Sequence, residues 1–359
     1  MDLAAFFDAV GEPAALAMIG LAAGVIFGVA AQRSAFCLRA ATVEFARGQP
    51  AARFAVWLLC FSTALVWVQG AVLAGAFDPG SARMMSITGS WSGAVIGGLM
   101  FGAGMILARG CSGRLLVLAA TGNLRSVVSG LIFAVSAQMS LRGVLSPYRN
   151  ALAELWTTSG GGNVDLLAAA GAGPAAGLAI GLGLAALALW LSWRHRIGVG
   201  RLFMGSGVGF AVAVGWVLTW QAAQVSFTPV TVESMSFTGP SARTLMFLLD
   251  EGATPGFEIG MIAGVFLGSA AAAFASGEFR LQGFDGAISM RRAMLGAALM
   301  GFGGMLAGGC AIGAGVSGGS IFVGTAWLAL VMMWVGAVAT DWLVDQGRFP
   351  ALLSPGQWR

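Results

Sequence analysis

GFGGMLAGGCAIGAGVSGGS, residues 301–320, is the stretch whose reading decides the fold. It is apolar enough for the interior of a bilayer but too rich in glycine for a continuous helix, since glycine costs about 1 kcal/mol per helical site relative to alanine. Broken backbone at membrane depth is tolerated only where protein or a water-lined cavity satisfies its polar groups. The run therefore predicts a helix break with Cys310 at it, flanked by Gly309 and Gly313. LARGCSG (Leu107–Gly113) repeats the phrase LAGGCAIG (Leu306–Gly313) and places Cys111 at a second break, beside Arg109, Gly110 and Ser112.

The surrounding chain is that of an all-α integral membrane protein. Of its 359 residues 58% are hydrophobic and 9% charged, with a mean hydropathy of +0.85, far outside the soluble norm. All 19 basic residues are arginine, and the net charge of +4 is modest and carried mostly by loops, which argues against nucleic acid as a partner. The first dozen residues contain Asp2, Asp8 and Glu12 and no basic residue, the wrong n-region for a cleaved signal, so a retained first span is expected. His195 lies in the basic loop WRHRIGVGR, and four cysteines without a CxxC or partner histidines do not make a zinc site. No metal and no cofactor are expected.

Hydrophobic runs predict nine spans, at 14–32, 53–75, 91–108, 126–142, 166–192, 202–220, 258–276, 293–308 and 320–340. The connecting segments 33–53, 193–201 and 277–292 are arginine-rich, whereas 221–257 carries Glu233, Asp250 and Glu251 against Arg243. The positive-inside rule then puts the N-terminus outside and the C-terminus inside. IGLAAGVIFGVAA (Ile19–Ala31) matches IGMIAGVFLGSAA (Ile259–Ala271), and MSITG (Met85–Gly89) matches MSFTG (Met235–Gly239). With the cysteine breaks these pairs favour duplication, in one transport domain with halves at about 14–142 and 202–340. Each glycine ladder taken alone is accounted for by small-residue helix packing, and the axis relating the halves stays open.

Discontinuous membrane helices offer bare N–H groups at half-helix N-termini, a ready site for anions. The predicted spans carry essentially no Asp or Glu away from their ends, so no proton relay or cation site is evident. Arg33, Arg39, Arg109 and Arg114 flank two of the breaks; for Arg39 and Arg114 lipid headgroup contact is an equally ready explanation. Cys37 in QRSAFCLRAA is a third thiol at a span end, whereas Cys60 in VWLLCFSTALVW reads as a small hydrophobe within a helix. A neutral thiol is a weak donor that suits a soft acceptor, and apolar surroundings keep it protonated. A sulfur-terminated anion fits these demands better than sulfate or phosphate, for which arginine forks would suffice.

The segments RSAFCLRAA, LARGCSG, SFTGPSA (Ser236–Ala242) and GGMLAGGCAIG resemble the YeeE/YedE family of membrane proteins, and within it the thiosulfate transporter branch. The likeness runs from about Gly20 to Val338 and leaves Leu141–Leu166 unexplained. It implies a bacterial inner-membrane protein with a pseudo-symmetric, hourglass arrangement of helices. It implies uptake of thiosulfate, passed along Cys37, Cys111 and Cys310 by transient S–H contacts without a covalent intermediate; Ser34, Arg109, Gly110, Ser112 and Gly309 stand beside those thiols. It also implies a small partner resembling TusA/SirA sulfur-handling proteins, and no such domain is expected within this chain.

Two other readings stand beside this one. The cargo of a transporter built this way could be another sulfur or selenium species. A membrane thiol oxidoreductase or sulfurtransferase would need a reactive thiolate or a cysteine pair, and neither CxxC nor a histidine base accompanies the breaks.

Overall fold

A computed structural model describes residues 3–48, 51–283 and 286–346, and among these every regular element is helical. The chain runs through α1 (Leu3–Val10), α2 (Glu12–Ser34), the short α3 (Leu38–Ala46) and α4 (Ala52–Leu73). A loop containing α5 (Arg83–Ser86) leads to α6 (Trp91–Leu107), the short α7 (Ser112–Ala120) and α8 (Leu124–Arg142). Then come α9 (Ser146–Glu154), α10 (Leu166–Ala169), α11 (Pro174–Arg194) and α12 (Val199–Val225). The last part holds α13 (Thr238–Leu249), α14 (Phe257–Ala275), α15 (Ala287–Leu306), a π-helical segment Ala311–Gly318, and α16 (Gly324–Thr340), which runs into a second π-helical turn, Asp341–Asp345.

Nine stretches among the described residues are long and apolar enough to cross a membrane, one for each predicted span. The predicted span 166–192 is too long at its start: its helix begins at Pro174, because α10 lasts only four residues and Gly171 turns left-handed at φ 67°. Large apolar side chains such as Leu131, Leu189, Phe203, Leu267 and Leu295 lie exposed on the helix flanks, as lipid contact requires.

Glycine ladders set how the helices meet. A Cβ on Gly24 would stand 2.3 Å from the Met261 carbonyl oxygen, and one on Gly264 would stand 2.2 Å from that of Leu21. Gly20, Gly24 and Gly28 meet Phe257, Met261 and Val265 in rising order, so α2 and α14 run parallel with backbones in contact. The two matched ladders are thus the two faces of one interface, as expected for small-residue membrane packing. By contrast α6 and α15 are antiparallel: Gly93 meets Leu306, Gly97 meets Gly303 and Ala307, and Gly104 meets Gly296. The break after α6 and the break after α15 therefore lie toward opposite ends of this helix pair.

Those ends differ in chemistry. At one, Arg47 grips the fully buried Asp341 through two bonds of 3.0 and 3.3 Å, Arg292 bonds Asp345 at 2.6 Å, and Arg39 lies 3.6 Å from Asp345. The turn after α7 joins the same end, where the Arg280 N–H donates to the Thr121 carbonyl. At the other end the stretch that the family likeness left unexplained folds as α9 and a loop that closes over the helix starts. Trp91 N–H donates to the Trp156 carbonyl at 2.8 Å, Thr158 N–H to that of Gly89 at 2.9 Å, and Asn163 Nδ2 to Thr325 Oγ1 at 2.8 Å.

Candidate functional site

Four short helices begin inside the protein, and their first residues Leu38, Ser112, Thr238 and Ala311 are all buried. Three of the four are capped by a cysteine: Cys37 for α3, Cys111 for α7 and Cys310 for the π-helical segment, each with extended backbone. Phe237 caps the fourth, α13. Two residues before each cysteine the chain turns through a left-handed residue, Ala35 (φ 54°), Arg109 (φ 59°) and Gly308 (φ 80°). Only glycine adopts that conformation freely, so Ala35 and Arg109 are held there at a cost of about 1–2 kcal/mol. The same turn made three times is what separates the breaks from ordinary glycine packing.

The four caps converge. Phe237 N–H and Gly313 N–H both donate to Cys310 Sγ at 3.3 Å, occupying the acceptor side of the sulfur and leaving its S–H to donate elsewhere. The Phe237 ring packs on Phe27, 5.2 Å between centroids, and a Cβ on Gly113 would touch that ring at 3.0 Å and Ile312 at 3.7 Å. Behind this apolar barrier lies a small cavity of ≈ 10 Å³ formed by Phe27, Phe36, Cys111, Arg114, Val117 and Ile312 among others, room for about one water. Cys111 is close enough to both Cys37 and Cys310 to interact with each electrostatically.

In front of the barrier, at the end opposite the arginine cluster, opens a cavity of ≈ 260 Å³. Gly309, Gly313 and Thr238 belong to its floor, directly against Cys310; Arg83, Arg149, Trp216, Glu233 and Glu258 line it as well. A large cavity with arginines and carboxylates in a largely apolar wall thus leads to one thiol, an aromatic barrier follows, and a minute pocket holds the next thiol.

The other expected site residues fall in distinct places. Ser112 is buried and its Oγ has no hydrogen-bond partner among the described residues, nor does Thr238 Oγ1 or Arg114 Nη1. Ser34 is buried but committed, its Oγ accepting from Phe36 N–H at 3.3 Å and so shaping the approach to Cys37. Gly110 is buried, whereas Arg109 and Arg33 are exposed, and Arg109 feels the charge of Arg39 at the arginine-rich end. Cys60 is fully buried in α4 against Gly205 of α12, away from the breaks. His195 is exposed at the end of α11.

Sequence reasoning missed Phe237 and Thr238 as a cap without a thiol, although MSFTG repeats MSITG. It also read Glu233 only as a loop acid, whereas this residue and Glu258 face the large cavity. Among the described residues no group of three or more His, Cys, Asp or Glu could hold a metal ion.

Convergent half-helix N-termini, thiol donors and unpartnered polar hydrogens form a site that attracts anions, in a chain that crosses the membrane repeatedly. This is the construction of a multi-pass membrane transporter. Residues 33–339 match the Sulphur transport family, and the chain belongs to it. It is 28% identical over 357 residues to the thiosulfate transporter TsuA of Escherichia coli (strain K12), covering 90% of this chain and 94% of that protein. It is 24% identical over 342 residues to the thiosulfate transporter TsuA of Spirochaeta thermophila (strain ATCC 700085 / DSM 6578 / Z-1203), covering 90% of this chain and 98% of that one. Both of these relatives are named as transporters.

Proposed function

We propose that this protein takes up thiosulfate across a bacterial inner membrane, handing the anion from Cys310 to Cys111 to Cys37 as successive S–H donors, with no covalent bond formed. The observation that carries the reading is the threefold construction: a left-handed turn, then a cysteine, then a buried half-helix start, repeated at Cys37, Cys111 and Cys310. Helix N-termini supply the positive field for the sulfonate end, and the weak, soft S–H donors suit the terminal sulfur without trapping it. Ser112 Oγ, Gly110 and Gly309 extend the route as donor and close-approach backbone; Ser34 shapes the turn and Arg109 draws the anion toward the exit.

In this reading the 260 Å³ cavity opens to the periplasm and the arginine cluster faces the cytoplasm, as the positive-inside rule requires, with the N-terminus periplasmic and the C-terminus cytoplasmic. The two halves, 14–142 and 202–340, are inverted copies within one transport domain, with α3 and α7 answering to α13 and the π-helical segment. A small TusA-like sulfur carrier collects the anion at the arginine-rich end. The test is growth on thiosulfate as sole sulfur source of a bacterium lacking its other uptake routes. Wild type is expected to restore growth and Cys111→Ala or Cys310→Ala to abolish it; growth retained by either variant overturns the relay. Competition by sulfite, sulfide and selenite against labelled thiosulfate then reads the cargo.

A further inference from the structure

The relay begins at Cys310, which leaves the outer cavity and its charged wall without a role. That wall is built with care. Glu233 is fixed through its backbone: its N–H donates to Thr219 Oγ1 at 3.2 Å and its carbonyl accepts from the same hydroxyl at 2.7 Å. Its carboxyl shares the cavity wall with that of Glu258, near enough for each to feel the other's charge. Glu258 is buried and lies 2.9 Å from Arg243 Nη1. Arg83 from α5 and Arg149 from α9 complete the charged groups around the space.

Two further groups point to a ligand. Trp216 Nε1 and Thr238 Oγ1 belong to residues about 1% exposed, both line the cavity, and neither has a hydrogen-bond partner among the described residues. Unpartnered buried donors of this kind cost stability unless something accepts from them. Donors without acceptors call for an oxoanion. Yet two carboxylates on the same wall would repel one.

We propose that the outer cavity is a proton-loaded anion station: the Glu233–Glu258 pair takes up one proton as a divalent oxoanion settles against Trp216, Thr238 and Arg83, so that anion and proton arrive at Cys310 together. The proposal rests on the transport reading and adds a second station and a coupling ion to it. Charge favours it. With both carboxyls ionised, Arg83 and Arg149 in the wall, together with Arg243 paired to Glu258 from outside it, leave one positive charge in excess; one shared proton raises the excess to two, which matches a divalent anion. Burial pushes the Glu233 carboxyl well above the ordinary carboxylate range, and its neighbour Glu258 pushes it further, against the opposing pull of Arg83 and Arg243. By reciprocity, a proton that tightens the anion is itself tightened by the anion. Anion affinity is therefore full while the free pair holds its proton, falls by up to about tenfold per pH unit between the point where the free pair releases it and the point where the occupied pair does, and stays low above that.

The experiment is calorimetric titration of the purified full chain in detergent with sodium thiosulfate, in two buffers of different ionisation enthalpy, repeated across the pH range in which the protein stays folded. Wild type is expected to take up about one proton per anion and to bind more weakly as pH rises. Glu233→Gln is expected to take up close to none and to flatten the pH profile, with Glu258→Gln as the second isosteric variant should the first not fold. Binding by wild type without proton uptake, or uptake unchanged in both variants, overturns the coupled station and leaves thiosulfate transport standing. Absence of thiosulfate binding by wild type at every pH overturns both.

Discussion

The backbone N–H of Phe237 donates to Cys310 Sγ at 3.3 Å, so the one half-helix cap without a thiol is tied to a cap that has one. The bond sets the Phe237 ring over Gly113 and against Phe27, between the large cavity and the pocket at Cys111. Phe237 thus separates two thiols that the transport reading asks to communicate. Phe237→Ala keeps the backbone bond and removes the ring. Labelling of Cys111 by a hydrophilic maleimide, added from the cavity end in a background lacking the other cysteines, is expected to rise at least several-fold. Unchanged labelling would show that the ring is not the barrier.

The left-handed turns carry a stability prediction. Ala35 holds φ 54° with space left for glycine's freedom, and glycine is the preferred residue at such a helix end. Ala35→Gly is expected to stabilise the fold by about 0.5–1 kcal/mol, read as a raised thermal midpoint in detergent. A lowered midpoint would mean that the alanine methyl packs usefully there.

The glycine ladders predict an opposite pair of outcomes for one kind of substitution. Gly264→Ala drives a methyl to 2.2 Å from the Leu21 carbonyl oxygen, so α2 and α14 must separate. A loss of about 1–3 kcal/mol is expected, seen as a lower thermal midpoint and less monodisperse protein. Gly130→Ala meets nothing within 4 Å in the interior of α8 and is expected to be neutral or stabilising by up to about 1 kcal/mol. Equal effects at the two sites would contradict the parallel α2–α14 contact.

Asp341 has no exposed surface and receives both bonds from Arg47, which is itself half-exposed. Removing its charge leaves the arginine to water but the buried amide poorly matched. Asp341→Asn is expected to cost about 1–2 kcal/mol, less than a fully buried pair would. A larger loss than about 3 kcal/mol would show that Arg47 is effectively desolvated.

Much of this architecture is legible in the sequence because membrane physics leaves few choices. Twenty apolar residues make a span, and Gly301–Ser320 is too glycine-rich to be only that. Cys111 and Cys310 are visible because a thiol at a glycine break has no cheap structural explanation, and Cys60 is dismissed because a thiol within VWLLCFSTALVW has one. The sequence does not reveal what depends on long-range contact. Phe237 carries no chemistry of its own and gains a role only from its place over Gly113 and Cys310. Glu233 and Glu258 are 25 residues apart in the chain and become a pair only when α14 packs beside the loop after α12. The parallel run of α2 against α14 likewise recasts the matched ladders as two sides of a contact, which no count of spans could tell.

The most direct measurement of the central claim is uptake of ³⁵S-thiosulfate into proteoliposomes containing the full chain, compared across single alanine variants of Cys37, Cys111, Cys310 and Cys60. Wild type and Cys60→Ala are expected to accumulate label alike, while each of the other three loses at least about tenfold in rate, some 1.4 kcal/mol at the least, with the thermal midpoint held close to that of wild type. Uptake undiminished in Cys111→Ala or Cys310→Ala, in protein that is fully folded, would contradict it.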